Sequence, residues 1–331
     1  MKPRLAILGA GNLGTTLAIL LGRAGRGCLL WTIESDVAEG IRTKRDNFRY
    51  LPGEKIPECV EVTEDLRGAA EDAEVICLTV PSHIVRKVAR SLSPIVNPSQ
   101  VLVDLAKGFD PDTRQRMTEV IEQEIPSDRR PALVALSGPS IAREMVREVP
   151  TAVTIASKHP DALKRARKAL ELPTFRLISS DDPIGVEVCG SLKNILAIGA
   201  GIADGLGLGL NSKAAILAGG LAELARLSES LGAHRETAFG LAGLGDLIVT
   251  GLSEHSRNRS LGEQIGRGRT LEEARGSTAE VAEGVSASAI AHTLARQHGL
   301  ELPILDGIHS ILHAGAPPRE TFSSIFASLK G

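Results

Sequence analysis

The chain has 331 residues, 43% hydrophobic and 24% charged, a length and composition suited to about two domains with sizeable cores. Its formal charge of -2 removes any global electrostatic case for nucleic acid or an anionic membrane, while local cations remain free to hold a small anionic substrate. One Trp, one Tyr and six Phe are too few to build stacking platforms for single-stranded nucleic acid.

From the N-terminus, short apolar runs alternate with segments of helical period. The runs Leu5–Leu8, Cys28–Trp31, Val75–Val80, Val101–Leu105, Ala132–Leu136, Ala152–Ala156 and Phe175–Ile178 predict strands. Between them, Leu13–Gly22, His83–Leu92, Arg114–Ile125, Ile141–Val149 and Pro160–Glu171 predict helices. This alternation indicates βαβ units and a mostly parallel sheet. The unbroken apolar character of VICLTV and VLVDLA fits strands covered on both faces. Near Ser180–Pro183 the pattern changes, and SSDDP has the chemistry of a turn followed by a helix start. Beyond it the helical periods Gly185–Ala203, Ser212–Leu231, Arg259–Gly266, Val285–His298 and Ile304–His313 dominate. The reading is an α/β Rossmann-type parallel-sheet domain over 1–182 and an all-α domain over 183–331.

No small-residue cleavage site follows the first apolar run, which predicts a cytoplasmic protein. The most apolar later stretch, Ile195–Leu210, is broken by Asp204 and several glycines and is expected to fall short of a membrane span. Cys28, Cys59, Cys77 and Cys189 form no C-x-x-C pair and read as small buried hydrophobes in a reducing compartment.

Gly9-Ala10-Gly11-Asn12-Leu13-Gly14 is G-x-G-x-x-G directly after a predicted strand and at the start of a predicted helix. In that context the first glycine permits the tight turn, the second lets backbone approach a pyrophosphate, and the third lets helix pack on strand. The helix N-terminus then offers unpaired N–H groups and a partial positive charge to the phosphates. The second strand ends Trp31-Thr32-Ile33-Glu34, where an acidic residue binds the ribose 2′-hydroxyl of NAD. Glu34 fits that role or that of an acid favoured by a helix dipole, so NAD and NADP both stay open.

Four further stretches carry polar groups that an apolar structural role does not require. Lys107, in Leu105-Ala106-Lys107-Gly108, ends a strand on the side where ligands bind in open α/β sheets; a solvated loop lysine is the alternative. Gly138 and Ser140, in SGPS, again lie between strand and helix, and Ser140 is placed to cap the helix or to donate toward a cofactor. Lys193 and Asn194 lie inside a long apolar helical run, where a lysine must snorkel, pair or do work. Burial with neighbouring cations favours the neutral amine and makes it a competent proton acceptor; a structural pair with an aspartate is the alternative. Asp246, in GLGDLIVT, either caps a helix or holds Lys193. Arg257 offers a planar fork for phosphate, with Asn258 beside it and a helix N-terminus nearby.

In these residues the sequence resembles the bacterial type of NAD(P)-dependent glycerol-3-phosphate dehydrogenase. The strings GAGNLGTTLA, VPSH, LAKG, SGPS with IA, IGVEVCGSLKNILAIGAGIADGLG, AGLGDLIVT, SRNR and VAEG occur in family order from residue 7 to about 284. The resemblance implies interconversion of glycerol 3-phosphate and dihydroxyacetone phosphate with NAD or NADP, supplying glycerol 3-phosphate for phospholipid synthesis. It implies Lys193 as proton acceptor and Lys107 as a contact to both substrate and nicotinamide. It places Asn194, Asp246 and Thr250 along the site and Ser256, Arg257 and Asn258 at the substrate phosphate. Gly138 and Ser140 match positions near the substrate. Gly9, Gly11, Asn12, Leu13, Gly14, Ile33, Lys107, Ala142, Arg257, Val281 and Glu283 match the cofactor side. Leu13 stands where the family commonly has an aromatic residue, and Ser140 where threonine is frequent.

The expected partner is a small phosphorylated substrate, with neither nucleic acid nor membrane insertion, and the apolar helical half is compatible with a homodimer. His309 and His313 have a spacing that can hold a metal, but the sequence offers no third ligand and none is predicted. His83 is read as lining or capping the crevice, and Lys164–Lys168 as a solvated helix face. Two other readings compete. A dehydrogenase of a non-phosphorylated hydroxy acid needs a carboxylate clamp in place of Arg257 and Asn258. A non-catalytic dinucleotide sensor has no use for Lys193, Asp246 and Arg257 together.

Overall fold

Short apolar runs such as LAIL, CLLW and VICL make strands that bury both faces, and here they form the centre of an eight-stranded sheet. The computed structural model describes residues 5–254, 256–276 and 283–328. In chain order the first unit, Met1–Pro183, contains β1 (Leu5–Leu8), α1 (Asn12–Arg23), β2 (Cys28–Trp31), α2 (Ser35–Lys44), β3 (Asp46–Asn47), β4 (Leu51–Lys55), β5 (Val60–Thr63) and α3 (Leu66–Ala70). It continues with β6 (Val75–Leu78), α4 (Ser82–Leu92), β7 (Val101–Asp104), α5 (Met117–Glu124), β8 (Ala132–Ser137), α6 (Ala142–Met145), β9 (Thr151–Ala156), α7 (Pro160–Leu170) and β10 (Phe175–Ser180).

The sheet order is β10-β9-β8-β7-β6-β1-β2-β5, and only the β8–β9 pair is antiparallel. Successive side chains point to opposite faces of a strand. Leu5 and Ile7 therefore enter one core with Leu17 and Leu21 of α1, while Ala6 and Leu8 enter another with Val85, Val88 and Leu92 of α4. Strand order reverses at β1, with β2 on one side and β6 on the other. Ligands of such sheets bind beyond the carboxyl ends of the strands at this switch point. The loops that emerge there are Gly9–Gly14 after β1 and Thr79–Pro81 after β6.

The sequence misses several elements of this unit. The edge strand β5 reads VEVT and pairs only with β2, and the hairpin β3–β4 includes Pro52 and Gly53. Helix α2 buries only Val37, Ala38, Gly40 and Ile41 on an otherwise charged surface, and α3 is five residues long. The predicted helix Arg114–Ile125 begins only at Met117 because Arg114 is left-handed at φ 62. The predicted helix Ile141–Val149 shrinks to Ala142–Met145, with Ile141 extended and Glu148 at φ 60. Cys28, Cys77 and Cys189 are buried as expected, but Cys59 is exposed, because it lies in the loop before β5.

The second unit, Ile184–Gly331, is helical among its described residues. It contains α8 (Pro183–Gly205, whose first residue closes the first unit), α9 (Gly209–Ser230), α10 (Asp246–Leu252), α11 (Arg257–Gly266), α12 (Leu271–Gly276), α13 (Glu283–Gln297), α14 (Pro303–Ala314) and α15 (Pro318–Ser328). A π turn over Leu241–Gly245 leads into α10. Every residue of α8 from Gly185 to Ala203 is buried. At 23 residues this helix is long and apolar enough to cross a membrane, contrary to the expectation, since it starts twelve residues before the stretch judged from sequence; its most apolar window lies wholly inside the protein. The sequence does not anticipate α10, α12 or α15, each of which presents few buried apolar positions; α15 buries only Phe322 and Ile325.

Glycines fix how α8 meets α11. A Cβ at Gly201 would lie 1.9 Å from Arg259 O and one at Gly205 2.2 Å from Glu263 O. In return, a Cβ at Gly262 would lie 2.0 Å from Ile198 O and one at Gly266 2.4 Å from Ile202 O. Two G-x-x-x-G faces thus bring the helix backbones into direct contact.

Candidate active site

The glycine loop of the first unit has the shape a pyrophosphate requires. Gly9 adopts φ +125, and Gly14 packs so closely that a Cβ would sit 2.0 Å from Gly9 O and 2.6 Å from Thr79 Oγ1. A Cβ at Gly11 would meet nothing within 4 Å, so that position faces open space. Asn12 and Leu13 open α1 just after Gly11, which brings no side-chain cap to the first amides of this twelve-residue helix. Two residues unremarked in the sequence brace the loop. Thr79 Oγ1 lies 2.9 Å from Gly9 O, and the fully buried Asn47 donates to Ala10 O and to Thr15 Oγ1, both at 2.8 Å. The short strand that carries Asn47 gives no periodic signal by which to find it.

At the end of β2, Ile33 is 67% exposed and Glu34 holds the N-cap position of α2. Glu34 accepts hydrogen bonds from Arg49 and Tyr50. After β7, Lys107 Nζ donates to Gly138 O at 3.3 Å, and Ser140 Oγ donates to the same oxygen at 3.1 Å, so these three predicted residues come together. Ser140 is not a helix cap: Ile141 holds that position of α6, and the serine hydroxyl turns back instead. Ala142 is the first residue of α6. His83 is exposed in the first turn of α4, where Pro81 holds the cap position with no side-chain bond. The Lys107 loop is anchored by Arg86 of α4, whose Nε donates to Asp110 at 3.0 Å while its Nη1 reaches Glu124 at 2.8 Å. Burial pushes the Asp110 carboxyl up, but the Arg86 and Thr113 hydrogen bonds outweigh it and hold it below the usual range.

In the second unit, Lys193 sits in the middle of α8, 4% exposed. Its Nζ donates to Asp246 Oδ1 at 2.9 Å and to Thr250 Oγ1. Asp246 and Thr250 are one turn apart on α10, and the threonine hydroxyl donates to Asp246 O at 2.7 Å. Asp246 therefore turns its carboxylate to the lysine and leaves the cap position to Gly245. Apolar surroundings disfavour the ammonium, and the neighbouring carboxylate favours it.

Beside it, Asn194 Oδ1 accepts from Asn258 Nδ2 at 3.0 Å, and Asn194 Nδ2 donates to Glu283 Oε2 at 3.3 Å. Asn258 Oδ1 in turn accepts the Gly284 amide at 3.0 Å, which ties α8, α11 and α13 together. Ser256 caps α11 by accepting the Arg259 amide at 3.2 Å, and Arg257 is exposed in the first turn of that helix. Arg259 is structural: it pairs with Asp204 at 2.8 Å and Glu263 at 3.0 Å. Val281, expected on the cofactor side, lies outside the described residues.

Away from this cluster, Glu223 accepts the Ile304 and Leu305 amides at the start of α14, and burial pushes its carboxyl up to about 7 in spite of those donors. His309 stacks on His292 at 4.1 Å and lies tilted against His313 at 4.7 Å, with His292 paired to Asp306 and His313 to Ser288. Among the described residues no group of three or more His, Cys, Asp or Glu is arranged to hold a metal ion.

Comparison with known proteins covers nearly the whole chain. The description "NAD-dependent glycerol-3-phosphate dehydrogenase N-terminus" matches residues 4–163, and the C-terminus of the same family matches residues 182–323. The chain is 43% identical over 326 residues to "Glycerol-3-phosphate dehydrogenase [NAD(P)+]" of Koribacter versatilis (strain Ellin345), covering 98% of this chain and 97% of the relative. It is 41% identical over 320 residues to the protein of that name in Geobacter sp. (strain M21), covering 97% and 96%. Among solved structures, glycerol-3-phosphate dehydrogenase from Coxiella burnetii is similar with a TM-score of 0.91 at 37% identity, over 98% of this chain and 99% of that one. With a nucleotide-type glycine loop in one unit and a buried lysine–aspartate pair in the other, the chain belongs to the NAD-dependent glycerol-3-phosphate dehydrogenase family.

Proposed function

We propose that the chain interconverts glycerol 3-phosphate and dihydroxyacetone phosphate, with Lys193 moving the proton. The observation that carries this reading is the Lys193 amino group held at 2.9 Å by Asp246 inside an apolar helix bundle, a placement that a dinucleotide sensor has no need of. The nicotinamide dinucleotide, when bound, exchanges a hydride with C2 of the substrate. Lys193 takes the proton of the C2 hydroxyl during oxidation and returns it to the ketone oxygen during reduction. Asp246 and Thr250 fix the direction of Nζ and steady its charge as the proton moves. Arg257, with Ser256, Asn258 and the first-turn amides of α11, serves the phosphate end, so binding energy remote from the reacting carbon positions it. Asn194, locked between Asn258 and Glu283, sets the wall beside the lysine. In the first unit Gly9, Gly11, Asn12, Leu13 and Gly14 would hold the pyrophosphate, and Lys107, which meets Ser140 at Gly138 O, would supply a cation for the substrate.

The test is the absorbance of the reduced nicotinamide on addition of dihydroxyacetone phosphate, with NADH and NADPH in parallel. Wild type turns over, and Lys193→Ala does not, although its dinucleotide affinity is nearly intact. Retention of most of the activity by Lys193→Ala would overturn the assignment.

A further inference from the structure

The end of β2 carries a polar cluster that the proton chemistry leaves unused. Glu34 Oε1 accepts from Arg49 Nη1 at 2.6 Å and from the Tyr50 hydroxyl at 2.9 Å. One carboxylate oxygen is thus anchored by two donors, while Oε2 has no hydrogen-bond partner among the described residues and the side chain is 30% exposed. Arg49 also lies 3.6 Å from Asp36 Oδ2, so its single charge faces two carboxylates and the cluster is net negative. Arg42, on the same helix as Asp36, is paired with Glu64 at 3.0 Å. The neighbouring Ile33 exposes an apolar surface rather than a cation.

Strand β2 lies beside β1, the strand that feeds the glycine loop. In a sheet wound this way, the end of that second strand meets the adenosine ribose, where an acid accepts from the 2′-hydroxyl and an arginine accommodates a 2′-phosphate. Here both residue types are present, and the acid has captured the arginine. We propose that Glu34, held by Arg49 and Tyr50, makes the crevice selective for a dinucleotide with a free ribose 2′-hydroxyl, NAD(H), over its 2′-phosphorylated counterpart, NADP(H). This inference rests on the reading of Gly9–Gly14 as a dinucleotide crevice and not on the assignment of Lys193. A ribose hydroxyl donates to the free Oε2. A 2′-phosphate carries about -1.5 to -2 charge and cannot donate, so it meets a cluster that is already negative.

The experiment is calorimetric titration of the full chain with NADH and NADPH, and with ADP and 2′,5′-ADP, in the absence of any triose phosphate. Wild type binds NADH roughly tenfold or more tightly than NADPH, and ADP more tightly than 2′,5′-ADP. Glu34→Gln narrows both ratios by about tenfold, mainly through tighter binding of the phosphorylated ligand to the released Arg49. Arg49→Ala weakens NADH by loosening the carboxylate but leaves NADPH the poorer ligand. Equal wild-type affinities, or ratios unmoved in Glu34→Gln, overturn the proposal. If neither dinucleotide binds, the crevice reading falls with it, whereas tight, selective binding without turnover overturns only the assigned chemistry.

Discussion

Replacing Asp246 by asparagine tests the pair at the centre of the site. The substitution keeps an oxygen that can accept from Lys193 but removes the charge. At the observed 2.9 Å, and at an effective dielectric of about 20, the attraction lost is about 6 kcal/mol before relaxation. Both side chains are at most 5% exposed, so solvent replaces little of it. Removal of one partner of a buried pair costs about 3–5 kcal/mol. For a unit of this size that lowers the melting temperature by roughly 6–20 °C.

The companion is Lys193→Met/Asp246→Asn, in which no charge is stranded. Buried pairs replaced by neutral groups are often near neutral in stability, so the double variant should melt within a few degrees of wild type. Calorimetric melting of wild type, Asp246→Asn, Lys193→Met and the double variant gives the coupling, and turnover of the same samples gives the chemistry. The double variant is expected to be stable yet to have lost about 10²–10⁴ in kcat, the usual worth of a positioned acid–base group. If Asp246→Asn costs no more than a surface substitution, or if the two single losses simply add in the double variant, the pair is not coupled and the argument fails.

Glu223→Gln probes a second buried carboxyl. Its folded-state pKa of about 7 stands above the ordinary 4.5, so between these values the folded chain holds a proton that the unfolded chain releases. Wild-type stability should therefore fall, relative to the variant, as pH rises through that window, by about 3 kcal/mol in all; a constant difference in chemical-denaturation midpoints from pH 4.5 to 8 would contradict this. Arg257→Ala should mainly raise KM for dihydroxyacetone phosphate, with the dinucleotide KM little changed, and equal effects on both would remove it from the phosphate end. Gly262→Ala forces a Cβ to within 2.0 Å of Ile198 O, and overpacking of this kind costs about 1–3 kcal/mol. The resulting separation of α8 from α11 should depress kcat/KM by about a hundredfold, and an unchanged kcat/KM would show that the contact does not set the site geometry.

What could be seen in the sequence follows from how far each signal reaches along the chain. The glycine loop is legible because β1, the turn and α1 are contiguous, so Gly9 and Gly14 act on neighbours within the motif or just across the sheet. The central strands are legible because they are buried on both faces, while β5, at the edge and half polar, is not. Helix ends at Arg114 and Glu148 depend on positive φ at residues with no intrinsic preference for it, which periodicity does not register. Asn47 and Thr79 brace the glycine loop across 37 and 70 residues of sequence, and no local pattern marks either as a partner. The Glu34 cluster shows the same limit: the acid stands at the expected spacing, but its capture of Arg49 and Tyr50 depends on a two-residue strand and a turn with no clear pattern of their own.

The lysine site requires a longer chain of causes. Lys193 and Asp246 are 53 residues apart, and the chemistry of a lysine in an apolar helix says only that some anion must come to it. What brings the rest of the cluster is backbone proximity. Gly201 and Gly205 on α8 meet Gly262 and Gly266 on α11 with no side chain between them, which fixes the rise of one helix against the other. Because α11 begins at Arg257, that contact also fixes where its first turn lies along α8, and Asn258 reaches Asn194 directly. The glycines that interrupt the most apolar part of the sequence are thus the reason the start of α11 and the Lys193 amine belong to one cluster. Any substitution that widens the contact should disturb the α11 start and the Lys193 amine together while leaving each residue chemically intact.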